Sequence, residues 1–244
     1  MKRMLLMAVL LVLVLFTAQA ATAPTPIHEC GDYTYIFLTD DDIQIVCWDG
    51  DDLKLDVPSK LDGHTVTSIS ECAFADCGRL EAVALPDTVR EIGDGAFTAC
   101  VRLSRVALPE GLTDIGSAAF DGCEGLTAIE LPASATRLGD NPFRGCANLC
   151  HILVSPDNPN LYTEDGVLFS RDDSRLVCFP MGNTSPSYAV PEGVTVIGAA
   201  AFDQSLFLES LRLPGSLTTI GRGAFDRCPA FRATDLPAGV SMEG

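Results

Sequence analysis

The stretch Ile92-Gly93-Asp94-Gly95-Ala96-Phe97-Thr98-Ala99-Cys100-Val101-Arg102-Leu103-Ser104-Arg105-Val106-Ala107-Leu108-Pro109 decides the fold, because its pattern recurs along the chain. Phe74, Phe97, Phe120 and Phe143 stand 23 residues apart, and Phe202 and Phe225 repeat that spacing. Other positions keep the register. Cys77, Cys100, Cys123, Cys146 and Cys228 come three residues after their Phe, with Ser205 the exception. Leu80, Leu103, Leu126, Leu149 and Leu208 come six after, and Val83, Val106, Ile129, Ile152 and Leu211 nine after. Pro86, Pro109, Pro132 and Pro214 close the pattern. A fixed period of this length marks a stacked repeat.

The spacing dictates local structure. Val83 and Leu85 alternate, so they face one side of a short strand. Pro86 cannot donate to a ladder and ends that strand. Val89-x-x-Ile92-Gly93 turns the chain back, and the glycine is expected to supply a positive φ. Ala96 and Phe97 then fill the interior. One such coil cannot bury its own apolar face, but stacked coils share a continuous core. The expected fold is a β-rich repeat solenoid, a right-handed stack of 23-residue coils with a parallel β-sheet spine.

The run Ile92 to Pro109 resembles the BspA-type leucine-rich repeat of bacterial secreted and surface proteins. Val57-Pro58 to Ile69 and Asn160 to Phe169 resemble segments of the same family, and the resemblance covers about residues 32–240. It implies a leucine-rich-repeat extracellular interaction protein with no catalytic residues and no cofactor.

Residues 1–20 read as a secretory signal peptide. Lys2 and Arg3 precede the apolar run Leu5 to Phe16, and Ala18-Gln19-Ala20 supplies a cleavage site. The apolar run is too short for a comfortable membrane span, so none is expected after cleavage. Cleavage would move the net charge from −17 to −19. That balance repels phosphate backbones and argues against nucleic acid as a partner.

Residues 21–56 are expected to form an N-terminal cap hairpin from Tyr33–Leu38 and Ile43–Trp48, covering the open end of the stack. Repeats follow over 57–154. Residues 155–189 break the rhythm and read as an inserted β-hairpin, jutting from the spine or packed onto it. Repeats resume over 190–244, where Thr234 and Glu243 replace apolar positions and the last coil is irregular or truncated.

Chemistry-bearing patterns are sparse. His28, His64 and His151 form no His-x-x-x-His pair, and no Cys-x-x-Cys occurs, so no metal site is expected. Cys150 and His151 are neighbours, yet successive strand residues point to opposite faces. Asp40-Asp41-Asp42 and Asp49-Gly50-Asp51-Asp52 read as solvated turns. Cys30 and Cys47, at opposite ends of the cap hairpin, are the best disulfide candidate.

Function is then expected on the outward strand residues. Arg105, Glu130, His151, Leu153, Ser210 and Arg212 form the candidate binding surface. The expected partner is a protein or glycan, and the chain is expected to act as a monomer, secreted or held at the cell surface. A structural spacer without a specific ligand is the alternative reading, and an uncharacterised enzyme a more distant one.

Overall fold

The structure is a computed structural model, and it describes residues 25–232 and 236–243. The signal segment 1–20 and Thr234 lie outside the described residues. Within them the chain is a solenoid of short strands with no helix.

Each coil carries two strands, and the coils stack in register. The strands that end at proline pair in parallel: Lys54–Asp56 with Ala82–Ala84, and Ala82–Ala84 with Arg105–Ala107. Ala128–Leu131 pairs with His151–Val154, and Ser187–Ala189 with Ser210–Arg212. The strands that end at glycine form a second face. There Ile69, Ile92, Ile115 and Leu138 align in one column.

The interior between these faces is a column of rings. Phe74 and Phe97 stack with centroids 4.9 Å apart, Phe97 and Phe120 at 5.2 Å, and Phe120 and Phe143 at 5.8 Å. These separations are near the ~4.8 Å spacing of adjacent strands, so one ring per coil fits face to face. Trp48 closes the N-terminal end of the column, 5.8 Å from Phe74.

The repeated cysteine ties each coil to the one before it. The Cys100, Cys123 and Cys146 thiols donate to the carbonyls of Phe74, Phe97 and Phe120 at 3.1, 3.3 and 3.1 Å. The site needs a small, buried donor, and cysteine is that residue. A hydrogen bond with Cys123, then burial, push the Cys100 thiol up to about 12. Burial also pushes Cys178 up to about 12 and raises Cys146.

The glycine after each isoleucine differs from expectation. Gly93, Gly116, Gly139 and Gly221 are not among the positive-φ residues. A Cβ on Gly93 would instead lie 2.5 Å from the Glu71 amide of the neighbouring coil, and one on Gly116 2.5 Å from Asp94 N. Close stacking, not backbone handedness, requires glycine there. The left-handed positions flank the phenylalanine two residues to either side, and alanine occupies several of them: Ala99 at φ 59°, Ala118 at 51° and Ala200 at 52°.

The break after Phe143 has a simple cause. Phe179, 36 residues later, takes the next phenylalanine place: its amide donates to Ala201 O as Phe97 N does to Ala119 O. Phe179, Phe202 and Phe225 form a second ring stack at 5.1 and 5.2 Å. The extra residues build Leu161–Glu164, Val167–Ser170 and Arg175–Cys178, an antiparallel set whose last strand joins Val196–Ile197 in parallel. This hairpin neither juts out nor lies on the spine. It is built into the stack as a wall: Leu168 and Val177 belong to one core, and Val167, Phe169 and Leu176 to the other. Across the junction, buried Asp203 accepts from Arg144 Nε at 3.1 Å and Arg227 Nη2 at 3.0 Å.

Both ends also depart from the sequence reading. The cap contains three antiparallel strands, His28–Cys30, Tyr33–Phe37 and Asp42–Trp48, and the third enters the spine beside His64–Ile69. At the C-terminus Ser241–Met242 pairs in parallel with Thr219–Ile220. A one-residue shift puts Met242 opposite Ile220, so Glu243 does not occupy the expected apolar place.

Phe120 has a ring on each side and no exposed surface. Phe120→Ala should destabilise the chain by about 3–5 kcal/mol, as removal of a buried aromatic does. Urea unfolding checks this; a loss below about 1 kcal/mol would contradict the stacked column.

Candidate binding surface

The proline-ending strands bury every second residue and turn the others outward, which creates two rows along the stack. One row runs Lys54, Ala82, Arg105, then Ala128, His151; the register pairs Lys54 with Ala82, Ala82 with Arg105, and Ala128 with His151. The other runs Asp56, Ala84, Ala107, then Glu130, Leu153. The basic groups fall in the first row and the acidic ones in the second. Along these rows lies a shallow groove of about 690 Å³, with Ala82, Ala84, Ala107 and Ala128 among its lining residues.

The charges on this face make no ion pair, while several arginines elsewhere do. On the glycine-ending face Arg137 closes on Asp114 through two nitrogens, holding the Asp114 carboxyl below its usual range. Arg79 pairs with Asp51 at 2.7 Å, Arg102 pairs with Glu81, and Arg175 lies 2.9 Å from Asp173. Among the described residues, Lys54, Asp56, Arg105 and Glu130 make no ion pair, although all four are exposed.

The structure brings Arg105, Glu130 and Leu153 into the groove. His151 stands exposed opposite Ala128 at its far end. Ser210 and Arg212 lie apart from these, on the strand pair beyond the inserted wall. Lys54 and Asp56 were missed, because residues up to 56 read as cap. Their signal is Leu55-x-Val57-Pro58, which copies Val83-x-Leu85-Pro86 at a spacing of 28 instead of 23. A further exposed apolar pair, Leu206 and Phe207, sits on the turn before Ser210.

Cys30 and Cys47 are not brought together. The strand Tyr33–Phe37 lies between theirs, with Cys30 opposite Tyr33 and Cys47 opposite Thr34. Two strand spacings, about 9–10 Å, exceed the reach of a disulfide. Cys47 Sγ instead lies 3.8 Å from Asp49 Oδ1. Cys150, beside His151, directs its thiol to the Asn148 and Gly182 carbonyls, each at 3.3 Å. Among the described residues no group of three His, Cys, Asp or Glu is placed to hold a metal ion. Nor is any helix there long and apolar enough to cross a membrane.

A family model described as the BspA type leucine rich repeat region matches this chain in six copies, over residues 63–170 and 177–243. Among solved structures, the chain is similar to the pneumococcal vaccine antigen PcpA, at 20% identity and a TM-score of 0.66 over 90% of this chain and 72% of that one. It is also similar to a leucine rich cell surface protein from Faecalibacterium prausnitzii, at 24% identity and a TM-score of 0.57 over 87% and 76% of the two chains. These two likenesses are of fold. A leucine rich repeat protein of T. pallidum is 28% identical, with a TM-score of 0.54 over 89% and 86%. No curated protein sequence matches.

The thiols divide by exposure. A thiol reagent added to the native protein near pH 8 should modify Cys150 and Cys72, which are exposed, and leave Cys100, Cys123, Cys146 and Cys178 until denaturant is added. Mass spectrometry of the labelled peptides checks this, and native-state labelling of Cys100 or Cys123 would contradict the buried ladder.

Proposed function

This chain belongs to the BspA-type leucine-rich repeat family, and from that premise we propose that it is a non-catalytic interaction module that holds a protein partner outside the cell. The groove along the basic and acidic rows is its binding surface. The observation that carries this reading is the sorting of exposed charge by row: Lys54 and Arg105 stand in one row and Asp56 and Glu130 in the other. None of the four makes an ion pair, and alanines fill the places between them along each row. Charged groups that find no partner within the chain are free to steer and orient an incoming one. Small residues in the rows let that partner's side chains reach the sheet and exclude water, the setting in which contacts contribute most.

Secretion or display at the cell surface fits this reading. The N-terminal signal pattern supports it, as does the family, whose solved relatives include a protein described as a cell surface protein. A protein is favoured over a glycan because no aromatic ring lines the groove to stack on a sugar.

The test is capture of extracellular host or matrix proteins by the purified chain, compared with the Arg105→Glu, Glu130→Arg variant. Reversal of both charges should weaken a groove-dependent interaction by about tenfold or more while the melting temperature stays unchanged. Binding that survives the reversal would place the partner elsewhere. A chain that captures nothing would be a spacer.

A further inference from the structure

We propose that the partner seated on this face is a second copy of the chain, held face to face about a two-fold axis that runs along the rows. The proposal deepens the reading of this face as a protein-binding surface and rests on it. Such a pair takes the place of the monomer expected from the sequence alone.

Symmetry selects the partner. The first residue of each strand belongs to the basic row and the third to the acidic row. A half-turn about an axis along the rows reverses the strand direction of the copy, so its acidic row lies over the basic row. Lys54 then meets Asp56 of the copy. Glu130 of the copy comes down on Ala128, between Arg105 and His151. Each contact occurs twice, because the interface is the same patch on both chains. The other two-fold axis in this plane, across the rows, would set basic on basic, and like charges placed together are costly.

Shape agrees with charge. Across the axis Arg105 faces Ala107 of the copy and Glu130 faces Ala128, so long side chains meet short ones. The alanines are members of the rows, and their places in the groove admit the side chains of the other copy. Arg105–Ala107 and Ala128–Leu131 lie in separate sheets on this face. The spacing of their two coils is set by the core, where Phe97 and Phe120 stack at 5.2 Å. The seam between these strands leaves Val106 only partly buried, whereas Val83 and Ile129, at the same place in their coils, are each 3% exposed. That seam lies between Arg105 and Glu130, where the second copy covers it.

The contact is small, so the dimer is weak. Five strands of three or four residues on each copy fall short of the about 20–30 residues a side of a standard interface. Dissociation is expected at about 10–500 µM. The net charge of −17 repels the copy at a distance. Salt at about 0.15 M screens that repulsion beyond about 8 Å, while the facing rows act within it. The half-turn keeps both solenoids running in one direction, with their N-terminal caps at the same end.

Sedimentation velocity of the full chain and its variants, from about 5 µM to about 1 mM, tests this. The unaltered chain should pass from monomer to dimer over that range. Arg105→Glu sets a carboxylate against Glu130 of the copy, and Glu130→Arg sets a guanidinium against Arg105. Each alone should weaken association at least about tenfold. An equimolar mixture of the two single variants should dimerise, because each supplies the sign that the other lacks. That rescue excludes misfolding as the cause of the loss. The double variant Arg105→Glu, Glu130→Arg should also regain the dimer, while its capture of a foreign protein stays weakened. A monomer at about 1 mM, single variants that dimerise as the unaltered chain does, or a mixture that stays monomeric would overturn the second copy. If the double variant still weakens capture in that event, the reading of the face as a protein-binding surface stands. If it leaves capture unchanged as well, the face itself has been misread.

Discussion

Each inner ring in the phenylalanine column, Phe97 and Phe120, is held between the ring of the coil before and the ring of the coil after. No coil can bury its own phenylalanine, so each depends on its neighbours, and the whole chain follows from that dependence. The backbone is drawn to the same spacing as the rings, and the thiol three residues later reaches back to the previous coil's phenylalanine carbonyl. The glycine after isoleucine is present because the neighbouring coil leaves no room for a side chain. Stacking thus sets the identity of residues on both sides of the core, and leaves only the outward positions free to vary. Those outward positions are where Lys54, Asp56, Arg105 and Glu130 stand.

The inserted hairpin shows how the stack accommodates a change of length. A 36-residue step separates Phe143 from Phe179, yet Phe179 still enters the ring position and hydrogen-bonds to the next coil as its equivalents do. The extra chain is placed inside, with Val167–Ser170 buried on both faces, so one core ends against one side of the wall and the second begins on the other. The Asp203 carboxylate, with a side chain only 2% accessible, joins arginines from either side of this junction. The cost falls on the outer face: the wall separates Ser210 and Arg212 from the groove.

Much of this was legible in the residues. The 23-residue register placed Phe74, Phe97, Phe120 and Phe143 in one column, and alternation before Pro109 and Pro132 turned Arg105 and Glu130 outward. Where the spacing changed, legibility failed for the same physical reason each time. Lys54, Asp56 and Phe179 occupy repeat positions reached by steps of 28 and 36 residues, and periodicity cannot see a position it does not count. The Cys30–Cys47 expectation failed because a third cap strand placed Tyr33–Phe37 between them. The sorting of charge into rows depends on register between coils, so it emerged only once Lys54 and Asp56 joined the spine.

The most direct test of the shared core is site-resolved amide hydrogen exchange. The amides of Phe74, Phe97 and Phe120 donate to Ala96, Ala119 and Pro142 carbonyls of the next coil at 2.8, 2.7 and 2.8 Å. If the rings form one continuous column, these three amides should be protected to the same high level and open together under denaturant. Independent exchange of the three, at rates typical of surface loops, would contradict it.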